Sequence, residues 1–307
     1  PGPLARLQTT LSRLSNRAPG RVAMQVRDLT TGYTSSINAN ASMPAASTIK
    51  IPVMVEVFRQ MELGKFDLNT PVKVSWRDKD CGSGDLCYAR SGSSLPVSRL
   101  LSDMITVSDN TAANMLIRLV GRSSINDTMV GLGLRHTRLT DYIHTAGWNV
   151  RRTLRTSPAD MVNLLTEMAQ DRLVDEWSSK QMVAILERQE INTLLPAPLP
   201  AMLIAHKTGS FDDTLNDVGI VYAYGSPYVI AVMTTRLPTL SAGRRYIRGV
   251  SNLAYHGLQQ FAQWREQNGA ASTSEPDVTT PAADASTWEP SQTPAPEPTE
   301  SPSPGAK

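Results

Sequence analysis

Pro44-Ala45-Ala46-Ser47-Thr48-Ile49-Lys50, running straight into the apolar segment Ile51-Pro52-Val53-Met54-Val55, holds the key to the fold of this chain. The spacing predicts a helix over about Ser47 to Leu63. A helix start sets Ser47 and Lys50 one turn apart on the same face, where the amine can reach the hydroxyl. It also aims backbone N–H groups and the positive end of the helix dipole at that point, which favours a developing oxyanion. Standing alone, the pattern reads rather as a plain serine N-cap followed by a solvated lysine.

Two further stretches change its weight. Ser108-Asp109-Asn110 sits at a helix start, where it also reads as a good capping sequence. Lys207-Thr208-Gly209 lies on the strand-like segment MLIAHKTGS, in which a glycine leaves no side chain and lets a ligand approach the backbone; a simple glycine bulge is the alternative. The three stretches occur once each and in this order.

Outward from them the chain reads as alternating blocks. Leu4, Leu7, Leu11 and Leu14 recur at helical spacing. Val22, Met24 and Val26 alternate, Thr31-Gly32 turns, and a second strand completes a hairpin. A long, mostly helical middle includes segments at about 110–120 with Gly121 as the stop, at 158–170 and at 178–189. MLIAHKTGS, DVGIVYAY and YVIAVMTTR are strand-like, and a last helix covers roughly Arg244 to Gln267. This order predicts an α+β fold with a mainly antiparallel five-stranded sheet built from both chain ends and flanked by helices. An all-helical lobe is inserted at about 47–190, and a cleft between lobes is where a substrate site belongs. The domain takes residues 1–268. From Gly269 onward, eight prolines among Ser, Thr and Glu predict a disordered tail with Trp288 as its one large apolar group.

Bulk properties narrow the classes. The chain has 307 residues, 40% hydrophobic, enough for a substantial core. Its net charge of +2, from 30 basic and 28 acidic side chains, gives no field that argues for nucleic acid. No run approaches the roughly 18 apolar residues that span a bilayer, so a soluble protein is expected. Pro1 opens the chain without a charged and then apolar leader, which reads as a mature or trimmed form. Cys81 and Cys87 share the segment CGSGDLC, whose Gly82 and Gly84 let it double back. A short-range disulfide and an oxidising compartment follow, with reduced thiols in a loop as the alternative. Two thiolates without a nearby histidine fall short of a zinc site, and no cofactor is expected.

With Ser47-x-x-Lys50, Ser108-Asp109-Asn110 and Lys207-Thr208-Gly209 in that order, the chain resembles the class A β-lactamases and the penicillin-binding proteins, whose signature set is S-x-x-K, S-D-N and K-T-G. The likeness covers about residues 3 to 268 and extends to Thr156-Ser157-Pro158-Ala159-Asp160-Met161 and to Asn216-Asp217. The resemblance implies that Ser47 attacks the carbonyl of a cyclic amide to form an acyl-enzyme. Lys50, as a neutral amine, would help take its proton. Ser108 would relay a proton to the leaving nitrogen, and Asn110 would bond the substrate's amide side chain. Lys207 and Thr208 would face the substrate carboxylate, with Gly209 beside the substrate. Backbone N–H groups of Ser47 and Ser210 would form the oxyanion hole. Arg236, Arg244 and Arg245 are candidates for a further carboxylate contact. The implied partner is a small β-lactam or a D-Ala-D-Ala-like peptide, acted on by a monomer in the periplasm or outside the cell, with envelope association through the tail.

One departure stands out. Class A enzymes carry a Glu in an E-x-x-L-N pattern that activates the water releasing the acyl group. The matching loop here, GLRHTRLTDYIHTAGWNVRRTLRTSPADM, has none, and no Glu occurs between Glu62 and Glu167. Aligning Thr137-Arg138-Leu139 puts the expected Glu near Ile143. Three readings stay open. Asp141 or His144 substitutes as base; the acyl-enzyme turns over slowly, so that the protein traps β-lactams or acts on a peptide or ester; or the protein is a non-hydrolytic relative. His136, His206 and His256 read as structural.

Overall fold

The hairpin at the start of the chain and the three strands near its end do meet in one sheet. In the computed structural model, which describes residues 2–145 and 150–269, the elements in chain order are α1 (Pro3–Ser15), β1 (Arg21–Asp28), β2 (Thr34–Ile37), β3 (Met43–Pro44), α2 (Lys50–Glu62), β4 (Pro71–Lys73), β5 (Ser94–Pro96), α3 (Val97–Thr106), α4 (Asn110–Val120), α5 (Arg122–Gly131), β6 (Arg138–Leu139), α6 (Val150–Thr153), β7 (Leu154–Thr156), α7 (Pro158–Ala169), α8 (Glu176–Leu186), β8 (Ile204–Phe211), β9 (Thr214–Val221), β10 (Tyr228–Thr235) and α9 (Leu240–Asn268). The main sheet runs β2-β1-β10-β9-β8, with every neighbouring pair antiparallel. The proline-rich tail lies outside the described residues.

Two-residue periodicity explains how the sheet serves two cores. Val22, Met24 and Val26 of β1 join Tyr228, Ile230 and Val232 of β10 in a core with Leu4, Leu7 and Leu11 of α1 and Ile247, Val250 and Leu258 of α9. Val229 and Ala231, with Val218 and Ile220 of β9, belong instead to the core of the helical lobe. That lobe is organised on α2, which is buried from Lys50 to Phe58. A helix buried on all sides is a core helix, and each of its buried Val, Met, Ile or Phe side chains contributes about 1.5–3 kcal/mol, while the buried Glu56 is paired with Arg59.

The structure also adds to the pattern or departs from it. The predicted helix from Ser47 begins instead as a 3₁₀ turn over Ala46–Ile49 before α2 takes over. Gly121, with φ +87°, both ends α4 and precedes α5; α5 buries only Ile125 and Met129, too little for an apolar stripe. The small sheets β3-β7-β6 and β4-β5 use strands of two or three residues, too short for any period. The last helix starts at Leu240, four residues earlier than its apolar pattern, because the Thr239 side chain caps it by accepting from Ala242 N–H. Among the described residues no helix is long and apolar enough to cross a membrane.

Candidate active site

Ser47 is half-buried on the 3₁₀ turn, and Lys50 closes that turn completely buried. A 3₁₀ helix has three residues per turn, so positions 47 and 50 eclipse one another more closely than they would on an α-helix. The turn is held from the sheet. Asn216 on β9 donates its amide to the carbonyls of Pro44 (2.9 Å) and Ala45 (3.1 Å), while its oxygen accepts from Thr234 N–H of β10 (3.0 Å). Gly209 on the edge strand β8 lies directly against the turn. A Cβ there would stand 2.8 Å from Ser47 N, 3.0 Å from Thr48 N and 3.1 Å from the Ala45 carbonyl. Only glycine lets the unpaired edge of β8 come this close. Ser210, the next residue, is exposed.

The Lys50 Nζ donates to the Ser108 carbonyl (2.6 Å), the Ser108 Oγ (3.1 Å) and the Asn110 Oδ1 (2.7 Å). No hydrogen bond among the described residues joins it to Ser47 Oγ. Burial, then the Lys207 charge, push the Lys50 pKa well below the ordinary amine value, against the opposing pull of Asp109 and Asp80. Two of its three acceptors are carbonyl oxygens, which can only accept. A neutral Lys50 would keep its two N–H donors on them and turn its lone pair toward a hydroxyl. Lys207 is likewise fully buried, donates to the Thr208 carbonyl (2.9 Å), and has its pKa lowered by burial to about 7, with Asp217 acting in the opposite direction. Thr208 is buried beside it on β8.

Backbone strain marks the same place. Ala46, immediately before the expected nucleophile, has φ +48°, and Ser108 has φ +60°. Left-handed non-glycine residues cost about 1–3 kcal/mol each and persist where surrounding structure over-determines them.

The cysteines form a disulfide, Sγ–Sγ 2.11 Å, and their loop bonds to the start of α4. Asn110 N–H donates to the Ser83 carbonyl (3.0 Å), and Leu86 N–H to Asp109 Oδ2 (2.9 Å). Gly84 has φ +77°, and a Cβ on it would lie 2.1 Å from that same carboxylate oxygen. Asp109 also caps α4 by accepting from Ala112 N–H. Immediately before Cys81, the buried Asp80 accepts from the Asn110 amide (2.8 Å).

On the loop after β6 the residue that the sequence alignment sets near the expected Glu, Ile143, is apolar. Ile143 is 4% exposed, belongs to the helical-lobe core, and has its backbone clasped by Asn114: Ile143 N–H donates to Asn114 Oδ1 (2.8 Å), and the Asn114 amide donates to the Ile143 carbonyl (2.9 Å). Asp141 lies at the surface 3.6 Å from Arg122, with its side chain 52% exposed. His144 is exposed with its ring beside Tyr142. Among the described residues neither bonds to Ser47, Lys50, Ser108 or Asn110. Arg236, at φ +58°, and Arg244 and Arg245 on the first turns of α9 are all exposed. His206 is buried between Asp217 (2.9 Å) and Asn192 (2.8 Å) and ties the segment before β8 to the sheet. Among the described residues no His, Cys, Asp or Glu group gathers to hold a metal.

Asp80 and Asn114 escaped the sequence pattern because each acts through a partner distant in the chain, while Asn216 was marked there only as part of the family likeness. For Asp80 the nearest signal was adjacency, since it directly precedes Cys81.

Residues 6–258 match the sequence profile of the Beta-lactamase enzyme family. The chain belongs to that family. Similar solved structures include PBP-A, at 30% identity and TM-score 0.79 over 84% of this chain and 97% of that one. A point mutant of PBP-A, as an acyl-enzyme complex with penicillin G, matches at 30% identity and TM-score 0.79 over 85% and 99%. A beta-lactamase from Sphaerobacter thermophilus matches at 29% identity and TM-score 0.74 over 81% and 94%. The sheet and helical lobe described above are those of this β-lactamase family.

Proposed function

We propose that this chain is a serine hydrolase whose Ser47 is acylated by β-lactams and which releases the acyl group slowly. The observation that carries the reading is the buried Lys50, held between Ser108 and Asn110 with its proton affinity depressed, one 3₁₀ turn from Ser47. In the neutral state it accepts the Ser47 proton as Oγ bonds to the carbonyl carbon. The lactam C–N bond then breaks, and Ser108 delivers the proton held on Lys50 to the departing nitrogen. The Ser47 and Ser210 N–H groups receive the oxyanion. Lys207, protonated below about pH 7 in the free site, attracts the substrate carboxylate. Asn110 has a second amide N–H for a substrate carbonyl.

Slow release is supported by Ile143. An apolar, buried side chain at the point where a water-activating carboxylate is expected offers no base, and Asp141 and His144 are exposed. That a PBP-A mutant was captured as a penicillin G acyl-enzyme fits a fold in which acylation and release are separable. The Cys81–Cys87 disulfide supports an exported protein.

A second reading has an observation of its own. Likeness to PBP-A and the missing Glu together suit a D,D-peptidase that acts on a D-Ala-D-Ala stem peptide with the same residues. Release of D-Ala without β-lactam turnover separates the two. Intact-protein mass followed over time after penicillin addition tests the main proposal: a persistent adduct on Ser47 is expected, and a chain that gains no mass overturns it.

A further inference from the structure

Asp80 belongs to none of the three motifs, yet its carboxylate is among the most heavily bonded in the described structure. Oδ1 accepts from the Asn110 amide (2.8 Å), Gly82 N–H (3.0 Å) and the Thr145 hydroxyl (3.0 Å), and Oδ2 accepts from Thr145 N–H (2.7 Å) and the same hydroxyl (3.0 Å). Its backbone is pinned as well, since Asp80 N–H donates to Thr111 Oγ1 on α4 (3.1 Å). One side chain therefore joins the disulfide loop, the start of α4 and the loop that follows Ile143.

The consequence falls on Asn110. A side-chain amide has one donor end and one acceptor end. With its nitrogen on a carboxylate, which can only accept, its oxygen must turn to Lys50 Nζ, 2.7 Å away. The flipped amide would set nitrogen against the amine and oxygen against the carboxylate, losing both bonds. We infer that Asp80 is a positioning residue for acylation: through Asn110 it fixes the acceptor that orients Lys50, and through Thr145 it holds the facing loop to the same frame.

This inference rests on the reading of Ser47 as an acylated nucleophile. Asp80 is not itself a base for water. Its lone pairs are taken by donors, and although burial pushes its pKa up, the bonds from Thr145, Asn110 and Gly82 bring it below the ordinary value. The charged groups facing Lys50 are Lys207 on β8, Asp109 at the start of α4 and Asp80. Of these Asp80 and Asp109 favour the protonated amine, so neutralising Asp80 moves Lys50 deprotonation to lower pH.

The test is the second-order rate of Ser47 acylation by a fluorescent penicillin across pH 5–9, for the full chain and for Asp80→Asn, Asp80→Glu, Asn110→Ala and the Asp80→Asn/Asn110→Ala double variant. Asp80→Asn is expected to lower the maximal rate about 10–100-fold, the scale of a misplaced catalytic group, and to move the acid limb to lower pH. Asp80→Glu, which keeps the charge, is expected to keep the wild-type limb. In the Asn110→Ala background Asp80→Asn should cost less than about threefold, because the two act as a unit. An Asp80→Asn protein that melts with wild type and acylates with unchanged rate and limb overturns the inference while leaving the acylation reading intact. So does an equal rate loss in both backgrounds. Should Asp80→Asn not fold, a displaced limb in Asp80→Glu overturns it too. A wild-type chain that no penicillin acylates removes the acylation reading and this inference together.

Discussion

Two neighbouring regions, the polar network around Lys50 and the loop around Ile143, are built on opposite principles. On one side Lys50, Asn110 and Asp80 are buried polar groups joined by hydrogen bonds, with Lys207 buried nearby and Ser108 held in a left-handed conformation. On the other, the loop around Ile143 buries an aliphatic side chain and leaves Asp141 and His144 at the surface. The first side costs stability, because two buried amines must be partnered and desolvated. The second adds stability, because an isoleucine enters the core while Asn114 satisfies its backbone. On the proposed reading, forming the acyl-enzyme draws on the first side alone. On the same reading, fast release of a β-lactam acyl group would need the second side to give up an apolar contact for a water-activating base.

The largest expected effect removes the first side altogether. Ser47→Ala should abolish the penicillin adduct seen by intact mass, and a surviving adduct would move the nucleophile elsewhere. Gly209→Ala comes next. Its Cβ would sit 2.8 Å from Ser47 N, backbone that cannot yield cheaply, so acylation should fall about 100-fold. Wild-type rates in that variant would mean that the β8 edge moves away freely.

Ile143→Glu probes the second side. It should shorten the adduct lifetime about tenfold or more, the usual reach of a positioned general base being roughly 10²–10⁴-fold. Asp141→Asn and His144→Ala should leave that lifetime within about twofold, and a large lengthening in either would identify the base instead. Lys207→Met measures what the first side costs. The Lys207 pKa in the folded chain, about 7, lies below its ordinary value of 10.5, so between these values the unfolded chain holds more protons and stability rises with pH. The variant should therefore melt a few °C above wild type at pH 6, with the gap closing as pH climbs from about 7 toward 10. A gap that widens with pH would show that Lys207 is not buried as a strained amine.

Much of this comparison could be read from the letters of the chain. Three short motifs in order, the Val22-Met24-Val26 alternation and the strand-like segments near the end were sufficient for a five-stranded antiparallel sheet joined to a helical lobe. They also singled out Ser47, Lys50, Ser108, Asn110 and Lys207, because each of these chemistries depends on residue type and near-neighbour spacing. The lack of any glutamate between Glu62 and Glu167 was legible too, since folding cannot supply a residue the stretch does not contain.

Tertiary structure decided the rest, wherever the physics lies in contacts between residues far apart in the chain. It turned the Ser47 helix start into a 3₁₀ turn pinned by Asn216 and packed under Gly209. It drew Asp80 to Asn110 across 30 positions, where a buried donor needs a buried acceptor. It set Asp141 and His144 on the surface and Ile143 in the core, because side-chain direction in an irregular loop follows from backbone conformation that no periodicity encodes.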